Sequence, residues 1–175
     1  ELPVKAIPLY AFDQFDSSPV DFDKRSGLLF IGGFNHPPNV DGLNWFLDDV
    51  FPGVLSSIPD IRLYIVGSQM PAEIKQRASD NVVVKGFLID EELDELYKQV
   101  MLSVVPLRFG AGVKGKVLEA LDRGVPIVTT DIGAEGIPGA NELMKLSDEP
   151  EVMAQHIVSL YGDYTEMARM SQAGR

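Results

Sequence analysis

Six short apolar runs alternate with helix-like stretches from residue 27 onward, and that rhythm leaves few folds open to the chain. The runs cover residues 28–31, 61–66, 81–85, 101–107, 126–130 and 143–146. The first three stop at Gly32-Gly33, Gly67 and Gly86. A short run with little polar alternation suits a strand buried on both faces. Between the runs, Leu43, Phe46, Leu47 and Val50 lie on one stripe of a helix spanning 38–57, which Pro52-Gly53 should kink or end. Pro71 opens a short helix over 71–78. Asp90 caps the next, which carries Leu93, Leu96, Tyr97 and Val100, with acid at its front and Lys98 at its back. A helix over 113–123 is stopped by Gly124. Ser147 or Asp148 caps another over 149–160, and Asp163 caps a last one reaching Met170. Such alternation predicts right-handed crossovers and a Rossmann-like, doubly wound parallel sheet with helices on both faces. Ligands bind such folds outside the carboxyl ends of the strands. The loops at 32–39, 67–70, 86–90, 107–116 and 131–139 are therefore the ones to search.

Charge and composition narrow the class further. The 175 residues hold 15 Lys and Arg against 26 Asp and Glu, a net charge of −11. So acidic a chain is a poor partner for nucleic acid or an anionic membrane surface. Cys is absent, which removes disulfide scaffolds, thiolate metal sites and a thiol nucleophile. No apolar run approaches the ~20 residues of a membrane span, so the expected setting is cytoplasmic. Residues 1–26 read as a leading linker: Pro3, Pro8 and Pro19 interrupt it, Asp13, Asp16, Asp21 and Asp23 make it acidic, and only 9–12 suggest a strand. Residues 27–175 form the single folded domain.

One loop is built for an anion. Arg108-Phe109-Gly110-Ala111-Gly112-Val113-Lys114-Gly115-Lys116 runs straight into Val117-Leu118-Glu119-Ala120-Leu121. Its glycines let backbone approach a ligand, and a helix start offers free amides and a positive dipole end. Lys114 and Lys116 oppose that dipole by a few tenths of a kcal/mol, a placement that asks for an anion. Glu119, one turn along, suits a vicinal diol such as ribose. The plainer alternative is a glycine-rich turn with exposed Lys and Glu. The loop is not a Walker motif, since no Gly-Lys-Ser/Thr follows a strand. It fits Gly-x-Gly-x-x-Gly literally, but after a late strand and with no acid in the ribose position.

Other loops carry weaker signals. Gly33 ends the first strand beside a site, and Asn39 serves as helix cap or as a donor to sugar or phosphate. His36 lacks partners at metal-ligand spacing, and His156 is structural. Phe87, after Gly86, packs a flat base or joins the core. Glu135 meets sugar hydroxyls or is simply solvated. Ser103 precedes two Val inside a strand, so no nucleophile elbow is present.

The block Lys116-Val-Leu-Glu119-Ala-Leu-Asp-Arg-Gly124-Val-Pro126-Ile-Val-Thr-Thr130 resembles the donor-binding half of two-domain, GT-B glycosyltransferases of group 1, or family 4. Ile31-Gly32-Gly33…Pro38-Asn39, Val83-Val84-Lys85-Gly86-Phe87 and Val104-Val105-Pro106-Leu107 stand in the order that family expects. The resemblance covers roughly residues 27–170. It implies one half of a GT-B fold, with the diphosphate of a UDP- or GDP-sugar held by Gly112, Val113, Lys114, Gly115 and Lys116. It places Glu119 on the ribose and Gly86-Phe87 near the base, with Gly33 and Asn39 at the first loop. It further implies retaining, metal-independent hexosyl transfer in glycan or polysaccharide synthesis, with no cofactor. Two positions depart from the pattern. Ala111 stands where many relatives carry a first Glu, and the loop after Gly33 lacks their Arg and Lys, leaving Lys114, Lys116 and Arg108 to supply charge.

The resemblance also implies an acceptor domain ahead of this chain that holds the catalytic-cleft His. No catalytic residue is then expected here. The fragment alone would bind donor without transferring sugar, and the full-length protein would sit at the inner face of the membrane. The competing readings are an epimerase half on the same scaffold, acting on nucleotide-sugars, and a non-catalytic α/β ligand-binding module. A receiver domain would need acids where Leu28–Ile31 ends in Gly-Gly.

Overall fold

The structure, a computed structural model, describes residues 19–175. The short strand expected at 9–12 lies outside the described residues. In chain order the elements are β1 (Leu28–Ile31), α1 (Pro37–Trp45), a π-helical turn (Phe46–Val50), α2 (Phe51–Ser57), β2 (Leu63–Val66), α3 (Ala72–Lys75), β3 (Val82–Gly86) and α4 (Asp90–Gln99). Then follow β4 (Leu102–Val105), α5 (Gly115–Asp122), β5 (Ile127–Thr129), α6 (Ala140–Leu143), β6 (Lys145–Leu146), α7 (Pro150–Leu160) and α8 (Tyr164–Gly174).

The six strands form one sheet in the order β3-β2-β1-β4-β5-β6, and every pairing is parallel. The doubly wound Rossmann-like class is therefore the observed one. Its strand order reverses between β1 and β4, where a crevice opens outside the carboxyl ends.

Strand periodicity sends alternate residues to two cores. Leu28, Phe30, Leu63, Ile65, Leu102, Val104 and Val128 face α1, α2, α7 and α8 with Leu43, Phe46, Val50, Val54, Met153, Ile157 and Met167. Leu29, Val66, Val105 and Ile127 face α4 and α5 with Leu96, Tyr97, Val117, Ala120 and Leu121. Fully burying each such side chain contributes roughly 1.5–3 kcal/mol. Phe22, ahead of β1, joins the first core, and the Ser26 N–H donates to the Gln99 carbonyl at 2.8 Å.

Several boundaries differ from the sequence reading, each for a local reason. The helix over 38–57 does not end at Pro52. A π-helical turn at Phe46–Val50 breaks it earlier, and Pro52 then sits in the opening turn of α2, where its missing N–H costs nothing. Asp90 is the first residue of α4 and not its cap; Ile89 holds the cap position, and its N–H donates to the Glu92 carboxylate at 3.2 Å. Pro71 precedes α3 as its cap, and α3 is only four residues long. Leu143 belongs to α6, which leaves β6 with Lys145 and Leu146. Ser147 and Asp148 do not cap α7: Glu149 does by position, while Asp148 accepts the Asp131 N–H at 3.0 Å. Asp163 caps α8 as expected, accepting the Glu166 N–H at 3.0 Å, and that helix runs on to Gly174.

Candidate functional site

The crevice between β1 and β4 is assembled by close backbone approach. A Cβ on Gly42 of α1 would run into the carbonyl oxygen of Pro106, so α1 rests against the chain leaving β4 only because residue 42 has no side chain. A Cβ on Gly32 would lie 2.8 Å from Cγ of Asn39. The chain then makes its glycine turn, with Gly110 and Gly112 at φ +126° and +79°, and enters α5 at Gly115. The amides at the start of α5 thus open at the strand-order reversal.

Asn39 is not the cap of α1. His36 holds that position without a side-chain bond, and Asn39, in the first turn, is 5% exposed. Its Nδ2 donates to the Gly33 carbonyl at 2.8 Å, and its Oδ1 accepts from Lys116 Nζ at 2.6 Å. Lys116 also lies 5.2 Å from the centre of the Phe30 ring. This chain of contacts clamps the β1 loop to α5. Burial pushes the Lys116 ammonium down to about 8, an effect that Glu119 opposes and Lys114 reinforces.

Lys114 turns the other way. Its Nζ donates to the Gly112 carbonyl and lies 3.1 Å from Oε2 of Glu135, on the loop after β5. That loop is fastened in turn, since a Cβ on Gly136 would meet Val113 Cγ2 at 2.8 Å. The two lysines bracket the start of α5, one held from the β1 side and one from the β5 side.

Glu119 is half-buried one turn into α5, and its carboxylate accepts no hydrogen bond among the described residues. Burial raises its pKa; Arg123 and Lys116 oppose this, while Asp90 and Asp94 of α4 add to it. Glu119 therefore lies within electrostatic reach of the first turns of α4. Gly86 and Phe87 open the loop that precedes α4, two strands from β1, roughly 10 Å along the sheet. The Phe87 ring is 70% exposed, so it is not a core residue. Gly33, Asn39 and residues 112–116 meet at the crevice, whereas Gly86 and Phe87 stand apart on the same rim.

Arg108 does not supply free charge. Its guanidinium grips Asp41 with two hydrogen bonds, one of 2.8 Å, and lies 5.9 Å from the Trp45 ring centre. Sequence reading missed this pair because the partners are 67 positions apart. It also missed the Lys114–Glu135 pair, for which the only signal was an acid on a loop after a strand. A hollow of about 520 Å³ lies at the opposite, amino end of the strands, lined by Arg25, Asp94, Tyr97 and Arg123 among others. Its arginines are committed: Arg123 to Asp94 at 2.6 Å, and Arg25 to the Tyr97 carbonyl at 3.0 Å. Among the described residues no group of three His, Asp or Glu is placed to hold a metal ion, and no helix is long and apolar enough to cross a membrane.

A parallel sheet of this order with a lysine-flanked helix start at its reversal point defines a Rossmann-like domain whose site suits an anionic ligand. The glycosyl transferases group 1 family model matches residues 25–163, and the chain belongs to that family. An uncharacterized 44.6 kDa protein in the cps region of Klebsiella pneumoniae is 32% identical over 162 residues, covering 86% of this chain and 39% of the relative. The chain thus spans well under half of that relative's length. Among solved structures, TarM of S. aureus superposes with a TM-score of 0.75 at 19% identity, over 94% of this chain and 34% of TarM. The C-terminal domain of LpcC, a glycosyl transferase group 1 family protein from Francisella tularensis, gives 0.66 at 20% identity, over 87% and 85% of the two chains. Anabaena Alr3699/HepE in complex with UDP-glucose gives 0.69 at 16% identity, over 87% and 43%. The fold is that of the C-terminal half of a GT-B glycosyltransferase.

Proposed function

We propose that this chain is the donor-binding half of a retaining glycosyltransferase that moves a hexose from a UDP- or GDP-sugar to an acceptor in polysaccharide synthesis. The observation that carries the reading is that Lys114 and Lys116 flank the start of α5 at the β1/β4 crevice. The diphosphate sits on the amides of residues 112–116, with both ammonium groups beside it. Glu119 takes the ribose hydroxyls, and its lack of a hydrogen-bond partner among the described residues supports that assignment. The exposed Phe87 ring offers the base a face to stack on, next to Gly86.

Transfer breaks the bond between the anomeric carbon and the diphosphate, so negative charge grows on the leaving oxygen. Fixed amides and ammonium groups already aimed there lower the barrier without reorganising. Lys114 and Lys116 fill the cationic role in a metal-independent site. The catalytic groups and the acceptor contacts belong to a preceding domain of the same protein, in keeping with the share of TarM and of the Klebsiella relative that this chain spans. By itself the chain binds donor and does not turn it over. The cps region of that relative and the UDP-glucose held by HepE support the polysaccharide and nucleotide-sugar assignments. A cytoplasmic setting, where nucleotide-sugars are made, completes the proposal.

Calorimetric titration with UDP and GDP tests it. One of them should bind, and Glu119→Ala should weaken that binding by ~1–3 kcal/mol, the cost of losing a partner for buried polar groups. No heat with either nucleotide at millimolar concentration would refute the reading, and unchanged affinity in the variant would remove Glu119 from the site.

A further inference from the structure

A carboxylate at the edge of an anion cradle is out of place unless it serves something other than the anion. Glu135 is such a group, and it is held there deliberately. The loop that carries it leaves β5 through Thr129 and Thr130. The Thr129 hydroxyl donates to the Val105 carbonyl at 2.8 Å, the Thr130 hydroxyl donates to the Leu107 carbonyl, and the Gly133 N–H donates to Thr130 Oγ1 at 3.1 Å. A Cβ on Gly133 would lie 2.7 Å from the Val105 carbonyl oxygen, and one on Gly136 would press on Val113. The loop is thereby tied both to the end of β4 and to the glycine turn.

The Lys114–Glu135 pair that results is lopsided. The lysine side chain is 10% exposed and the glutamate side chain 47%. The cation lies inside, against the turn, and the carboxylate faces outward with one oxygen on Lys114. This arrangement neutralises part of the positive charge that a diphosphate needs, so on phosphate binding alone Glu135 is a cost. The proposed ligand continues beyond its phosphates as an uncharged ring of hydroxyls. Hydroxyls need acceptors, and an ionised carboxylate is an acceptor at both oxygens.

The carboxylates flanking the turn are otherwise placed. Asp41 is taken by Arg108 with two bonds. Glu119 lies within electrostatic reach of α4. Ala111 and the glycines of the turn have no polar side-chain atom. Resting on the nucleotide-sugar reading above, we infer that Glu135, oriented by Lys114, accepts hydrogen bonds from hydroxyls of the donor sugar and so determines which sugar the site prefers. Lys114 touches the phosphate on one side and aligns Glu135 on the other, which couples recognition of the two parts of the donor.

The test compares each bare nucleotide with its sugar conjugates on wild type and Glu135→Gln, by calorimetry with UDP, GDP, UDP-glucose, UDP-N-acetylglucosamine and GDP-mannose. Gln keeps the size of the side chain and a bond to Lys114 while removing the charge. Wild type should bind one conjugate more tightly than its bare nucleotide. The variant should bind the bare nucleotide equally or more tightly, yet lose about tenfold or more for that conjugate, the scale of losing charge-assisted hydrogen bonds. If nucleotide and conjugate shift together, Glu135 is only the counter-charge of Lys114 and the inference fails. It fails too if wild type binds no conjugate better than its nucleotide. Absence of binding by every nucleotide and conjugate would instead overturn the donor-site reading itself.

Discussion

Raising the pH should loosen the grip on a nucleotide-sugar long before an ordinary lysine would respond. Burial holds Lys116 at about 8 where a solvated lysine sits at 10.5. A nucleoside-diphosphate sugar has no phosphate proton to lose near neutrality, and the N–H of its uracil or guanine ionises only toward the alkaline end, so below that end the protein alone titrates. At pH 6.5 Lys116 carries its charge; by pH 9.5 nearly all of it is gone in the free protein. A bound diphosphate restores the lysine toward its ordinary value, and binding then takes up a proton at the higher pH. The linkage amounts to about a 30-fold loss of affinity between pH 6.5 and 9.5, roughly 2 kcal/mol. A lysine at 10.5 would change affinity by no more than ~10% over that range. Titration calorimetry at four pH values, in two buffers of different ionisation enthalpy, reads both the affinity and the proton uptake. Lys116→Met should bind weakly at every pH and leave only the small alkaline slope that belongs to the base. A flat profile for the wild-type protein would refute the placement of this ammonium beside the diphosphate.

Three further outcomes follow from the packing. Gly42→Ala should push α1 off the Pro106 carbonyl and destabilise the domain by about 1–3 kcal/mol, visible as a lower urea midpoint at unchanged slope. Asn39→Ala removes both the bond to the Gly33 carbonyl and the acceptor for Lys116, so it should cost about 2–4 kcal/mol in denaturant titration. Glu166 is held at about 2 by its bonds to Arg169 and Lys145. Its contribution is therefore complete above the unfolded value of 4.5 and fades as pH falls from there toward 2. These pairs lie close to solvent, where screening holds that contribution to about 1 kcal/mol. Glu166→Gln should lower Tm at pH 7 and match the wild type near pH 2.

How much of this was legible in the chain depends on how local each feature is. The strands were readable because short apolar runs are punctuated by turn residues, the first three by glycines. All six exist, and their order is the Rossmann-like one. Leu143 and Met144 were misread as strand because the four residues Leu-Met-Lys-Leu are too few to show a period that separates helix from strand. The break in the 38–57 helix was read at Pro52-Gly53, as a kink or an end, and falls earlier because a π-helical turn absorbs it and hands Pro to a new helix start. Asn39 obeyed a capping rule on paper, but its partner Lys116 lies 77 positions away, and no local rule sees such a distance. Arg108 failed in the same way, since its charge is taken by Asp41 from another element. Glycines and lysines raised the expectation of an anion site; which lysine points where was a property of tertiary packing.

The most direct check of the central claim is a set of backbone amide shifts recorded as a nucleoside-diphosphate sugar is titrated into the 15N-labelled chain. Large, saturable shifts confined to residues 112–119, with smaller ones at 33–39 and 86–90, are what the account predicts. Shifts that avoid the start of α5 and gather at the amino end of the sheet, around Arg25 and Arg123, would contradict it.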